Sequence, residues 1–131
     1  MDLMQRRAML EAKPNPDKTL DYIITLEGHL PNSKGSNRQV VLRYVPDREV
    51  LDARSFGNYL ESLSGDSWEN PEDLAVTVIS DVNNEVVARW VQVSVRVPEL
   101  NHHAVETHSV VIEDRQPNWD NRALLSRLGR I

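Results

Sequence analysis

Three histidines, His102, His103 and His108, crowd one short segment with Glu106 among them. Imidazole and carboxylate are both zinc ligands, and on a strand Glu106 and His108 would share a face with Ala104. The spacing matches no zinc motif. Solvated or interface histidines are therefore the plainer reading, with zinc at His102, His103 and His108 as the alternative. The pair Glu113-Asp114 and the group Asp66, Glu69 and Asp73 supply carboxylates, but no spacing sets two of them face to face for acid–base work. Serines, histidines and aspartates occur without the glycine-flanked turn that exposes a serine nucleophile. The five glycines are scattered singly, so no glycine-rich loop cradles a phosphate. Cysteine is absent. That removes disulfides, a thiolate nucleophile and zinc–sulfur sites together.

A chain of 131 residues has room for one core. Hydrophobic residues at 40% and charged residues at 27% fit a folded domain, because the apolar residues cluster in runs instead of being diluted. A net charge of −5 gives no reason to expect a nucleic-acid partner. No apolar run approaches the roughly 20 residues that span a bilayer, and the first residues lack a signal peptide's apolar centre. No membrane association and a cytoplasmic location are the expectations.

The elements that must position any site follow from periodicity. Residues 1 to 18 are polar, with Pro14 and Pro16, and read as a short N-terminal arm, a loosely ordered terminus being the plainer reading and a docked helical turn through Leu3, Met4 and Met9 the alternative. A single domain is expected over 19–115, and a tail with a short helix over 116–131. Tyr22 to Leu30 reads as a strand with Tyr22, Ile24, Leu26 and Gly28 on one face. After a turn-rich stretch, Val40 to Val45 makes a second strand, the pair forming an antiparallel hairpin. Phe56, Tyr59, Leu60 and Leu63 then recur at helical spacing. Asn70 before Pro71-Glu72-Asp73 is an N-cap, a proline at the first helical position and acids in the first turn. Leu74, Val78, Ile79 and Val82 carry that second helix to about Asn84. Val86 to Val97 reads as a third strand, alternating strictly from Val91, and Ala104 to Glu113 as a fourth. Asn118 to Leu128 reads as the tail helix, with Leu124, Leu125 and Leu128 as its apolar face. Trp90, on the third strand, is expected in the core or at a subunit interface.

This β-β-α-α-β-β order is that of the tunnelling fold. The segment Tyr44-Val45-Pro46-Asp47 through Arg54-Ser55-Phe56-Gly57-Asn58-Tyr59-Leu60 resembles the entry to the first helix of the 7-cyano-7-deazaguanine (nitrile) reductases of queuosine biosynthesis. The same register runs back through both strands and, with one inserted residue, forward to Pro71-Glu72-Asp73. It covers roughly residues 20 to 97 and fades in the fourth strand. The expected fold class is thus α+β, an antiparallel sheet with helices on one face, joining edge to edge into a barrel. Alternation of Val91, Val93, Val95 and Val97 with Gln92, Ser94 and Arg96 suits a barrel wall facing a polar lumen.

The resemblance implies a role for Glu72, matching the acid that grips the guanine-like edge of the substrate. A carboxylate offers two acceptors to two adjacent donors; favouring a helix N-terminus explains Glu72 equally well. Asp52 and Arg54 stand where the family has a glutamate and a lysine near the phosphates of NADPH, while Gly57 replaces a second lysine. Asp52 and Arg54 are the cofactor-binding candidates, with a solvated helix start as the alternative. The catalytic positions depart from the family. His29 stands at the cysteine that attacks the nitrile, Ser36 at the proton-handling aspartate and Pro71 at the histidine beside the purine acid.

The resulting expectation is a homo-oligomer without reductase activity that binds a purine- or pterin-like heterocycle at an inter-subunit pocket, with neither NADPH nor zinc required. The rivals are an oligomeric structural or interaction protein, and an enzyme with relocated chemistry. The latter would resemble GTP cyclohydrolase or a pterin aldolase, using His29 or the histidine cluster, or would depend on a cysteine-bearing partner.

Overall fold

Valine-rich alternation becomes a four-stranded antiparallel sheet in the structure, a computed structural model describing residues 2–30, 38–66, 68, 70–98 and 102–128. Its strands are β2 (Ile24–Leu30), β3 (Arg38–Val45), β5 (Trp90–Pro98) and β6 (Thr107–Arg115), in the order β2-β3-β5-β6. Two helices, α2 (Ala53–Leu63) and α3 (Pro71–Val86), connect the two halves of the sheet. The register opposes Leu42 to Val93, Tyr44 to Val91 and Val40 to Val95. These six residues form the main core with Phe56, Tyr59, Leu60 and Leu63 of α2 and Leu74, Val78, Val82 and Val86 of α3. Both helices therefore pack on one sheet face. The other face carries Thr25, Glu27 and His29, then Arg43, then Gln92, Ser94 and Arg96.

The arm is ordered, contrary to the expectation from its polarity. Helix α1 (Leu3–Ala8) opens with a capping box between Asp2 and Gln5, Leu10 is buried in the core, and β1 (Ala12–Pro14) pairs with β4 (Glu49–Leu51). What holds it is Leu10 in the core with Met9 packed against it, together with the bonds of Arg6 and Arg7 to Asp81, and α1 is the helical turn offered as the alternative.

Other boundaries shift for physical reasons. Val86 and Val87 do not begin a strand: Val86 continues the α3 stripe from Val82 and is buried, and Val87 ends the helix at φ 44°, ψ 60°. That left-handed conformation is strained for a β-branched residue. Ala104 and Val105 lie in the turn before β6, where the Ala104 N–H donates to His102 Nδ1 at 3.1 Å and that of Val105 to the His102 carbonyl at 3.2 Å. The tail helix is short: α4 (Arg122–Leu125) capped by Asn121, then a 3-10 turn at Ser126–Leu128. The turn-rich stretch over 31–37, including Ser36, and Glu69 lie outside the described residues. Among the described residues, no helix is long and apolar enough to cross a membrane.

Candidate functional site

Helix α3 is built to present its first turn. Asn70 Oδ1 accepts the Asp73 N–H at 2.8 Å, Pro71 fills the first helical position and is buried, and Glu72 projects outward. The acid meets a histidine there: His108 Nε2 lies 2.6 Å from Glu72 Oε1, with side chains 38% and 49% exposed. The β5–β6 register makes this contact, because His108 opposes Val97 in line with Val110 and Ile112, which pack against the core. The helix side of this sheet end also holds Trp68, whose indole donates to the Leu63 carbonyl at 2.9 Å and whose carbonyl accepts Arg38 Nη2 at 3.3 Å. The acid and the imidazole thus meet where the first turn of α3 lies beside the start of β6. Neither Glu72 oxygen has another hydrogen-bond partner among the described residues, so the carboxylate retains acceptor capacity for a ligand.

The remaining predicted residues are dispersed. His29 lies on the helix-free side of β2, opposite Gln39, and its side chain makes no hydrogen bond among the described residues. It borders a groove of about 390 Å³ between β2 and α2, with Leu26, Phe56 and Leu60 in the lining and Glu27 and Glu61 beside it. The sheet separates His29 from Glu72, so one copy of the chain does not combine them. Asp52 caps α2 by accepting the Ser55 N–H at 3.0 Å and pairs with Lys13 of β1 at 2.7 Å. The Lys13 contact first, then the Ser55 N–H, hold its carboxyl below the usual range. Asp52 is thereby occupied by the fold, and Arg54 next to it is exposed. His102 and His103 stack with ring centres 4.7 Å apart in the β5–β6 turn, apart from the His108 contact with Glu72. Among the described residues, no three histidine, aspartate or glutamate side chains converge as a metal site.

Two charge clusters escaped the periodicity reading. Asp81 is fully buried in α3, accepting Arg6 Nε at 2.7 Å, Arg7 Nε at 2.9 Å and the Tyr59 hydroxyl at 2.6 Å. Burial alone would push this carboxyl up, but the bonds from Arg6, Tyr59 and Arg7 prevail and hold it below the carboxylate range. Burial and then Asp81 push the Tyr59 hydroxyl far above its ordinary value. A signal existed: Asp81 lies three residues after Val78 and seven after Leu74, on the apolar stripe. The second cluster centres on Arg89, which donates to Asp21 at 2.9 Å, to Asp47 at 3.3 Å and to the carbonyls of Lys18 and Leu20. Trp119 and Asn121 also reach Asp21, and Gln116 reaches Asp47, which fastens the tail to the segment before β2.

Among solved structures, the chain is similar to one described as the archaeosine synthase QueF-Like in the apo form. The match has 24% sequence identity and a TM-score of 0.54, and covers 75% of this chain and 94% of that one. It establishes a shared mixed α and β fold with antiparallel strands. A scan against family models and a search of curated proteins find no match.

Proposed function

We propose that this chain is a non-reducing, nitrile-reductase-like protein that binds a purine- or pterin-like heterocycle through Glu72, in a pocket completed by a second copy. The observation carrying the reading is the half-exposed Glu72 carboxylate, presented by the first turn of α3 against the imidazole of His108. Such a carboxylate suits the adjacent N–H donors of a guanine-like edge. The fold likeness to an archaeosine synthase supports a place among queuosine- and archaeosine-related proteins of that fold. Nitrile reduction through a thioimide needs a thiolate, and these 131 residues contain no cysteine.

Assembly is supported by the sheet's edges. Neither β2 nor β6 has a second strand partner among the described residues. Unpaired edges are normally covered or paired, and a neighbouring sheet would do this for both. His29 and its groove then face the neighbour, which gives these residues a place at the subunit boundary.

The test is thermal shift and calorimetry with guanine, 7-cyano-7-deazaguanine and neopterin. At least one should stabilise the wild type, by about 2.7 kcal/mol at a hundredfold excess over Kd, and Glu72→Gln should abolish the effect. No shift across the panel would refute heterocycle binding and leave an oligomeric structural protein as the better reading. A stable monomer in sedimentation at micromolar concentration would refute the shared pocket.

A further inference from the structure

We infer that the helix layers of adjacent copies meet in a seam, the α3 face around Val76 of one copy seated in the α2–β2 groove at Gly57 of the next, a reading that rests on the edge-to-edge assembly proposed above. Helix α2 lies against the edge strand β2, and α3 lies against β5 and the edge strand β6. Both helices cover the same sheet face. When β6 of one copy continues into β2 of the next, α3 and the neighbour's α2 become adjacent above the joint.

Gly57 is the residue that calls for a neighbour. It stands exposed in the middle of α2, and a Cβ there would meet nothing within 4 Å. Glycine in a helix interior is destabilising relative to alanine, and its own chain makes no close approach that would require it. A second chain packed on α2 would. The groove beside Gly57 has an apolar lining of Leu26, Phe56 and Leu60. At the opposite edge, a groove of about 430 Å³ between α3 and β6 is bordered by Val76 and Ile79. Val76 is 57% exposed. With Ile79 and Asn83 it recurs at helical spacing, so the three form one stripe along α3. A helix with a notch at glycine and a helix with a projecting valine fit each other in shape.

Charge favours the same pairing. Glu27 and Glu61 border the α2 groove and have no ion-pair partner among the described residues. Arg7 is the one lysine or arginine among the described residues that lines either groove, and it lies on the α3 side. Arg6 and Arg7 share the single carboxylate of Asp81, so their surplus charge offsets Asp114, the one acid on that side. Two uncompensated acids on α2 and β2 therefore meet a surface bearing an arginine and the amides of Asn83 and Asn84, a match that a second copy supplies.

Cross-linking tests the seam, and the absence of native cysteine gives it a clean background. Full-length Gly57→Cys and Val76→Cys chains are co-expressed and treated with a short bismaleimide at a concentration where wild type sediments as an oligomer. Both positions are exposed, and melting of each variant establishes that it is folded. The expected product joins one chain of each kind, in excess over either variant joined to itself. Gly57→Leu, which fills the notch, should raise the dissociation constant of the assembly by about tenfold or more while leaving the circular dichroism of the fold unchanged. No linkage, predominantly self-linked products, or a Gly57→Leu variant that assembles like wild type would each overturn the seam and leave the paired sheet edges standing. A monomeric wild type would overturn the edge-to-edge reading and the seam with it.

Discussion

Replacing Arg6 and Arg7 together by glutamine tests whether the arm is part of the fold. Both guanidiniums reach the fully buried Asp81 carboxylate, at 2.7 and 2.9 Å, and the Tyr59 hydroxyl supplies a third donor. With the two arginines gone, a carboxylate out of water keeps one neutral donor. Breaking a buried ion pair from one side costs about 3–5 kcal/mol, because the charge left behind is uncompensated. Either single replacement leaves the other arginine in place and should cost about 1.5–3 kcal/mol, the range for a hydrogen bond to a charged group. Asp81→Asn should cost less than the double arginine variant, since the arginine side chains, 17% and 23% exposed, can recover bonds to water. Urea unfolding at pH 7 with unchanged m-values would measure the series. The pH dependence fixes the sign. The Asp81 carboxyl is held below its ordinary value in the folded chain, so its contribution is complete above about pH 3.9 and is lost as pH falls through the folded value. Wild type and Asp81→Asn should therefore converge in acid. A double arginine variant within about 1 kcal/mol of wild type, or a gap that widens on acidification, would refute the reasoning.

Two backbone predictions follow from the same physics of fit. Val87→Gly relieves a left-handed residue at φ 44° that is 58% exposed. Relief of about 1–2 kcal/mol exceeds the entropic cost of glycine, so thermal melting should show a gain of roughly 0.5–1 kcal/mol; a loss would mean that Val87 packs on something. Alanine should have opposite effects at two glycines. At Gly57, in the middle of α2, a Cβ would meet nothing within 4 Å, so Gly57→Ala should stabilise the monomer by about 0.5–1 kcal/mol. At Gly28 the new Cβ would lie 2.6 Å from Leu60 Cδ1, and Gly28→Ala should cost about 1–3 kcal/mol through overpacking. Equal melting temperatures for the two alanine variants would contradict this packing between β2 and α2.

What was legible in the sequence is what local rules govern. The cap at Asn70-Pro71, the stripe of α2 and the alternation from Val91 each express one period or one capping bond, and the structure realises them with small changes at the ends. The Val86 boundary was misread because Val86-Val87-Ala88 suits either a strand start or a helix end. Burial of Val86 beside Val82 decided it. The arm and tail were opaque for a different reason. Asp81 with Arg6 and Arg7, and Arg89 with Asp21 and Asp47, join polar residues some 40 to 75 positions apart, and no periodicity records such pairs.

The candidate site shows how far a residue-by-residue reading reaches. Glu72 was legible as a cap-region acid, and His108 as one of three clustered histidines, but each alone has a plain structural reading. Their meeting depends on the register that sets His108 opposite Val97 and on α3 lying across β5 and β6. One residue of slip in β6 would turn His108, with Val110 and Ile112, to the helix-free face and leave Glu72 alone in solvent. The apolar demand of Val110 and Ile112, packed against the core on the His108 side, holds that register. The same alternation that builds the sheet therefore delivers an imidazole to the acid, and the site's chemistry is a consequence of core packing rather than of any local motif.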